Sequence, residues 1–259
     1  EHQRKAIGRL ISSVVRATPN GISFRLIGTV DIDGKGTKHP LEQADPFMLL
    51  DYAPSIPKNN APPFGAHPHR GHSVLTILTK GKVMSWDSFT NKETIAQAPA
   101  SYWVDAGSGI FHDEVSRVDD ESDESQHVAL FQLWVSVKEE DRLKPAGLQY
   151  DMDLPAVEAK NADGKVVGSI RHYCGGGAKI TTPHPIVVAH VVQQANTSLR
   201  FPVDPAFGGV VIHMSGCPTF AGATTPSEPF EVLVLADTSS SDVDVDFLDV
   251  TSSASEAEY

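Results

Sequence analysis

Four side chains in the first half of the chain are spaced for metal chemistry. His67 and His69 lie two residues apart, so on an extended strand both imidazoles leave the same face. His112 and Glu114 repeat that spacing just after the turn-forming run Ala106-Gly107-Ser108-Gly109. The pairs are 43 positions apart (112 minus 69), room for several strands, so antiparallel pairing can bring them to one point inside a barrel. Three neutral imidazoles and a carboxylate suit Fe, Mn, Ni, Cu or Zn, and with iron such a set leaves octahedral positions open. The carboxylate lowers the net charge of the site and, if it loosens from the metal, accepts a substrate proton. Glu114 is therefore both a candidate ligand and the candidate catalytic base.

One His-x-His in a loop is a common accident of sequence, and the second same-face pair is what gives the pattern weight. Pro68 stiffens the first pair, while Gly71 and Gly109 permit tight turns beside the site. His72, three residues after His69, points away from that face and reads as a neighbour, not a ligand. His127, His172, His184, His190 and His213 stand alone, which is how satisfied core or surface histidines look, so no metal is expected in the second half.

The elements that must carry these residues read as strands. Short runs of Val, Ile, Leu and Phe recur between Gly, Pro, Asn and Asp clusters, the pattern of an all-β barrel or sandwich. Residues 73–78, 128–137, 186–192 and 209–214 are the clearest. Helical periodicity is weak; the two candidates are 4–15 and 155–160. A charged run at 138–144, followed by Pro145, Gly147 and Pro155, sets a domain boundary after Val137. Residues 1–137 are then one unit and 138–247 a second. The phrases 76–83 and 209–216 each place an apolar strand before a glycine, a hint of internal duplication. From Asp237 onward there are seven acidic residues and no basic one, so 248–259 is expected to be a disordered acidic tail.

Composition narrows the function classes. With 259 residues and 40% apolar side chains the chain can build one large or two small barrel cores. Two cysteines are too few for a disulfide framework and favour a reducing compartment. Twenty-one basic against 33 acidic residues gives a net charge of −12, which argues against direct nucleic-acid binding. No apolar run reaches the roughly 20 residues of a membrane-spanning helix. A cytoplasmic or nuclear location is expected, with an organelle left open because the first residue is Glu1 and not Met.

Several phrases, in order, resemble the pirins, a branch of the cupin superfamily. They are Asp45-Pro46-Phe47-Met48-Leu49-Leu50-Asp51, His67-Pro68-His69-Arg70-Gly71, the run from Ala106 to Glu114, and Gln132-Leu133-Trp134-Val135. The resemblance implies two tandem cupin (jelly-roll) β-barrels with few short helices, and an iron site, Fe(II) or Fe(III), at His67, His69, His112 and Glu114. It weakens through Thr182-Pro183-His184-Pro185-Ile186 and Ser215-Gly216, and the family's closing phrases are missing, so the C-terminal barrel is expected to be truncated or divergent. Such a barrel would expose an edge that invites a partner or a swapped strand. Near the site, His72-Ser73 replaces an aromatic-Glu pair, Trp86 stands where pirins often carry His, and Ala98-Pro99-Ala100 replaces a Pro-Gly-Asp turn. The family pattern and closeness to the ligand strands suggest Phe64, Trp103 and Gln132 as pocket walls. The resemblance implies two activities: a quercetin 2,3-dioxygenase that opens a flavonol-like aromatic substrate with O2, or an iron-dependent transcriptional co-regulator that works through protein contacts. A protein-binding subunit of a larger assembly is a third reading, because fold alone does not set function.

Overall fold

The computed structural model describes residues 11–16, 18–20, 23–28, 45–57, 65–203, 208–220, 230–235, 247–253 and 255–259. Among the described residues neither helix candidate is helical. Residues 11–15 fall in a strand and 157–160 in another, while 1–10 lie outside the described residues. The β-branched residues Ile11, Val14 and Val15 favour a pleated surface, and cross-strand partners outweigh the weak helical spacing.

The first group of strands is β1 (Ile11–Arg16), β2 (Thr18–Asn20), β3 (Ser23–Ile27), β4 (Phe47–Ile56), β5 (His67–His69), β6 (His72–Lys80), β7 (Lys82–Asp87), β8 (Glu93–Gln97), β9 (Ala100–Asp105), β10 (Ile110–Ser116), β11 (Val128–Ser136) and β12 (Gly147–Asp151). The second is β13 (Val157–Lys160), β14 (Val166–Cys174), β15 (Val188–Gln193), β16 (Ser198–Pro202), β17 (Val210–Ile212), β18 (Pro218–Phe220), β19 (Glu231–Leu235), β20 (Phe247–Ser252) and β21 (Ala257–Glu258). Short 3-10 turns at Glu124–Gln126 and Glu139–Asp141 are the helical elements among the described residues.

Two sheets make the first barrel: seven strands in the order β12-β9-β6-β11-β4-β3-β2 and four in the order β5-β10-β7-β8. Alternation gives the larger sheet two apolar faces. Leu78, Ala100 and Tyr102 point into the barrel with Val83 and Val128. Leu75, Ile77, Trp103, Phe131 and Leu133 point out and pack against Tyr173, Ile186 and Val232 of the second barrel. Buried residues of this size each contribute about 1.5–3 kcal/mol, so the barrels share a substantial core.

Strand pairing crosses the expected boundary. β12 lies beyond Val137 yet joins β9 of the first barrel, and β1 pairs with β19 of the second. β1 thereby covers an edge that the sequence left open. The expected disordered tail is also corrected. β20 pairs with β16 and β18, β21 pairs with β15, and the Tyr259 hydroxyl donates to Gln193 Oε1 at 2.8 Å. Leu248 and Val250 are buried, whereas Asp249 faces outward to Arg200 Nε at 3.0 Å. Asp249 thus occupies the solvent face of a real strand.

Candidate metal centre

β10 sits between β5 and β7, and the register sets His112 directly opposite His67 and, on the other side, Asp87. The turn before β10 depends on glycine. Gly107 has φ +51°, and a Cβ there would come within 2.1 Å of the Lys144 carbonyl oxygen. Its own carbonyl accepts from the Gly71 N–H at 2.9 Å, which ties the turn before β10 to the turn between β5 and β6. Two backbone turns thus lock the two histidine segments together.

The three imidazoles converge. Their Nε2 atoms form a triangle with sides of 3.1 Å (His67 to His69), 2.9 Å (His69 to His112) and 3.1 Å (His112 to His67). His69 and His112 are buried and His67 is half-buried. Outward partners fix the tautomers. His67 Nδ1 donates to the Gly65 carbonyl at 2.8 Å, which leaves its Nε2 lone pair facing the other two rings. His72 Nδ1 donates to the Arg70 carbonyl at 3.1 Å, so His72 Nε2 accepts from His69 Nδ1 at 3.0 Å, and His69 Nε2 is bare as well. His112 Nε2 lies within 3.1 Å of both lone pairs, so they can share either its proton or a cation.

Burial and mutual repulsion keep His69 and His112 neutral. Burial, followed by the neighbouring His112, His72 and His67, pushes His69 down to about 3. Burial likewise lowers His112, partly opposed by the Glu114 carboxylate. Neutral imidazole is the form that binds metals. Right-angle ligands about 2.1 Å from one ion stand about 3.0 Å apart, and tetrahedral ones about 3.4 Å. The observed sides match three adjacent positions of an octahedron. The residues therefore fit a transition-metal ion held by three protein nitrogens.

Glu114 shares the inward face of β10 with His112, as its spacing predicted, but its carboxylate is turned across the barrel. Oε1 accepts from Thr76 Oγ1 at 2.9 Å and from the Tyr102 hydroxyl, and Oε2 accepts from Gln132 Nε2 at 2.7 Å. Its oxygens are not among the converging ligand atoms, which come from His67, His69 and His112. A carboxylate offers about four acceptor positions, so these three donors leave about one, on Oε2. Tyr102 is held well above the usual phenol range, chiefly by burial and then by Glu114, so it remains a donor.

Of the expected pocket walls, Gln132 lies beside the site through Glu114 and Phe64 lies outside the described residues. Trp103 is elsewhere. It pairs with Leu75, on the face opposite Thr76 and Tyr102, and is fully buried in the core between the barrels. Nearness in sequence misplaced it because alternate residues of a strand face opposite ways. His72 is a neighbour, as expected, but it turns toward His69 instead of away, because Gly71 at φ +73° reverses the chain. His72 also stacks on Trp134, with ring centres 4.8 Å apart at 28°. Thr76 and Tyr102 were missed; a lone threonine within Ser73-Val74-Leu75-Thr76-Ile77-Leu78 was the available signal.

Residues 30–135 match the pirin family model. The chain carries a pirin domain. All three convergent histidines and Glu114 lie inside it. A Pseudomonas aeruginosa protein provisionally named a quercetin 2,3-dioxygenase is 28% identical over 180 residues, 68% of this chain and 62% of that protein. The chain spans 40% and 48% of two other curated relatives, from Pseudomonas aeruginosa and Caulobacter vibrioides. Among solved structures, a quercetin 2,3-dioxygenase from Acinetobacter baumannii superposes with a TM-score of 0.71 at 18% identity, covering 97% of this chain and 85% of that one. A bacterial pirin from Escherichia coli in complex with nickel(II) gives 0.58 at 13%, covering 95% and 97%. These structural likenesses establish the fold, two tandem cupin barrels, with the pirin domain as the first.

No helix among the described residues is long and apolar enough to cross a membrane.

Proposed function

We propose that the first barrel holds one divalent transition metal, iron in the working enzyme, through His67, His69 and His112, and that it oxidises a flavonol-like aromatic alcohol with O2. The triangle of Nε2 atoms with 2.9–3.1 Å sides carries this reading. Names borne by a curated relative and a structural neighbour support the substrate class. A bound iron ion would supply a Lewis-acidic, redox-active centre with positions open to substrate and O2.

The chain's own residues orient and move the proton. Gly65 and His72 fix the His67 and His69 rings with their lone pairs inward. Thr76, Tyr102 and Gln132 hold Glu114 in one orientation, so its remaining Oε2 acceptor position can take the proton of a substrate hydroxyl. Were Glu114 to become a fourth ligand, that same position would be used and the carboxylate would no longer serve as the base.

Protein loaded anaerobically with Fe(II) should consume O2 with quercetin and release one carbon monoxide per O2. Nickel(II) serves as the second metal arm. Stoichiometric metal binding with neither O2 uptake nor carbon monoxide release would sink the enzymatic reading and leave metal binding standing.

A further inference from the structure

Between the seven-stranded sheet and the second barrel lies a half-open pocket for which the metal chemistry has no use. A cavity of about 320 Å3 lies on the far side of the seven-stranded sheet from the histidine triangle, and none of the three histidines lines it. Ile77 and Phe131 form one wall, with side chains facing away from Thr76 and Gln132; Val210, Ile212, Met214 and Leu248 form others. A space this large falls in the usual size range of small-molecule pockets.

One polar pair interrupts the apolar lining. His190 Nε2 and Glu258 Oε1 lie 2.8 Å apart, and Ser215 Oγ donates to Glu258 Oε2 at 3.3 Å. Both residues of the pair border the cavity. Donation from His190 holds the Glu258 carboxyl below the ordinary range, so the pocket presents an anion with lone pairs to spare at neutral pH. Apolar walls call for an apolar body. A carboxylate that already has two donors calls for one more neutral donor: an anionic ligand would be repelled, and an ammonium would be costly to strip of water.

We infer that the second barrel is a binding site for a neutral, apolar small molecule that donates one hydroxyl hydrogen bond to Glu258. The site is separate from the metal centre, and its occupant need not be a substrate of the first barrel.

The test titrates the full chain with 2-naphthol and, as the same body without a donor, naphthalene, following probe fluorescence. Native protein should bind one 2-naphthol per chain, and His69→Ala protein should bind it as well, since the triad is not involved. Val210→Phe should fill the pocket and weaken binding at least thirtyfold with no fall in melting temperature. Glu258→Gln should weaken 2-naphthol about tenfold and leave naphthalene unchanged, because a charged acceptor binds a donor roughly twice as strongly as a neutral one. Absence of saturable binding by native protein overturns the proposal. So does binding that vanishes with His69→Ala, which would place the probe at the triad. Equal losses of both probes in Glu258→Gln, or unchanged binding by a folded Val210→Phe protein, also refute it. If Val210→Phe does not fold, the two-probe comparison in Glu258→Gln decides alone.

Discussion

Replacing His72 by Phe isolates one hydrogen bond behind the metal centre. The phenyl ring can keep the stack on Trp134, whose centre lies 4.8 Å from that of His72, but it cannot accept from His69 Nδ1, which now does so at 3.0 Å. His69 is 3% exposed, so water cannot replace the lost partner. In metal-free protein the ring has an escape: its proton moves to Nε2 and is shared with His67 or His112, 3.1 and 2.9 Å away. In the loaded protein Nε2 must be bare, Nδ1 keeps its proton, and the full cost of a buried unsatisfied donor, about 1–3 kcal/mol, falls on metal binding. At about 1.4 kcal/mol per decade this is a loss of about 5- to 140-fold, in line with the 10- to 100-fold typical of partners behind a ligand. Competition of Ni(II) or Co(II) between the protein and a chelator measures it, and ring-nitrogen NMR reports the His69 tautomer. His72→Gln, which restores an acceptor without the stack, should recover most of the affinity. If His72→Phe binds metal within twofold of native, or loses affinity only in step with a lower melting temperature of the metal-free protein, the relay has no role in tuning the site.

Glu114→Gln keeps the side-chain volume and an acceptor for Thr76 and Tyr102 but removes the base. O2 consumption with quercetin should fall at least 100-fold while metal affinity changes less than tenfold, and a collapse of metal affinity would make Glu114 a true fourth ligand. Tyr259→Phe removes the donor to Gln193 Oε1 inside the second barrel; urea unfolding should show a loss of about 1–3 kcal/mol with no change in metal binding, and unchanged stability would return the last strand to the status of a loose tail. Burial raises Tyr52 to about 12 and also raises Tyr102, Tyr173 and Tyr259. Groups whose folded values exceed the unfolded value of about 10 add stability that is complete below that pH and is lost as pH rises through the folded values. Tyrosinate absorbance from these four should therefore appear together with loss of the folded circular dichroism signal above about pH 10, and tyrosinate formed in a still-folded chain would refute the burial argument.

The grouping of the histidines was legible because the information sits in a local rule. A spacing of two on a strand fixes a shared face, so His67 with His69 and His112 with Glu114 could be grouped before any tertiary contact was known. The rule fixes a face and not a side-chain direction. It could not say that Glu114 would reach across the barrel to Thr76, Tyr102 and Gln132 instead of joining the triangle. His72 escaped for a related reason: its approach to His69 depends on the reversal at Gly71, which strand periodicity does not describe. The tail was misread by counting charge while ignoring order. Residues 242–250 read Asp-Val-Asp-Val-Asp-Phe-Leu-Asp-Val, an alternation close to period two, and within it Leu248 and Val250 face the core while Asp249 faces solvent. The domain boundary was set by composition, which shows where a linker can lie, whereas β1 and β12 pair across it.

That pairing, and the double-faced sheet between the barrels, couple the two halves of the molecule. Along β6, Thr76 donates to Glu114 while its neighbour Ile77 lines the cavity of the second barrel; along β11, Gln132 and Phe131 divide the same duties. A one-residue slip of β11 against its partners would turn Gln132 into the shared apolar core and Phe131 toward the metal centre. Glu114 Oε2 would lose its donor and a polar amide would be buried without a partner, so both faces penalise the same error. Register here is specified twice, by the polar residues that hold Glu114 and by the apolar residues that close the second barrel. The arrangement of the first site therefore rests on packing contributed by the second, which gives the chain a physical reason to keep a C-terminal barrel whose described residues hold no metal-ligand cluster of their own.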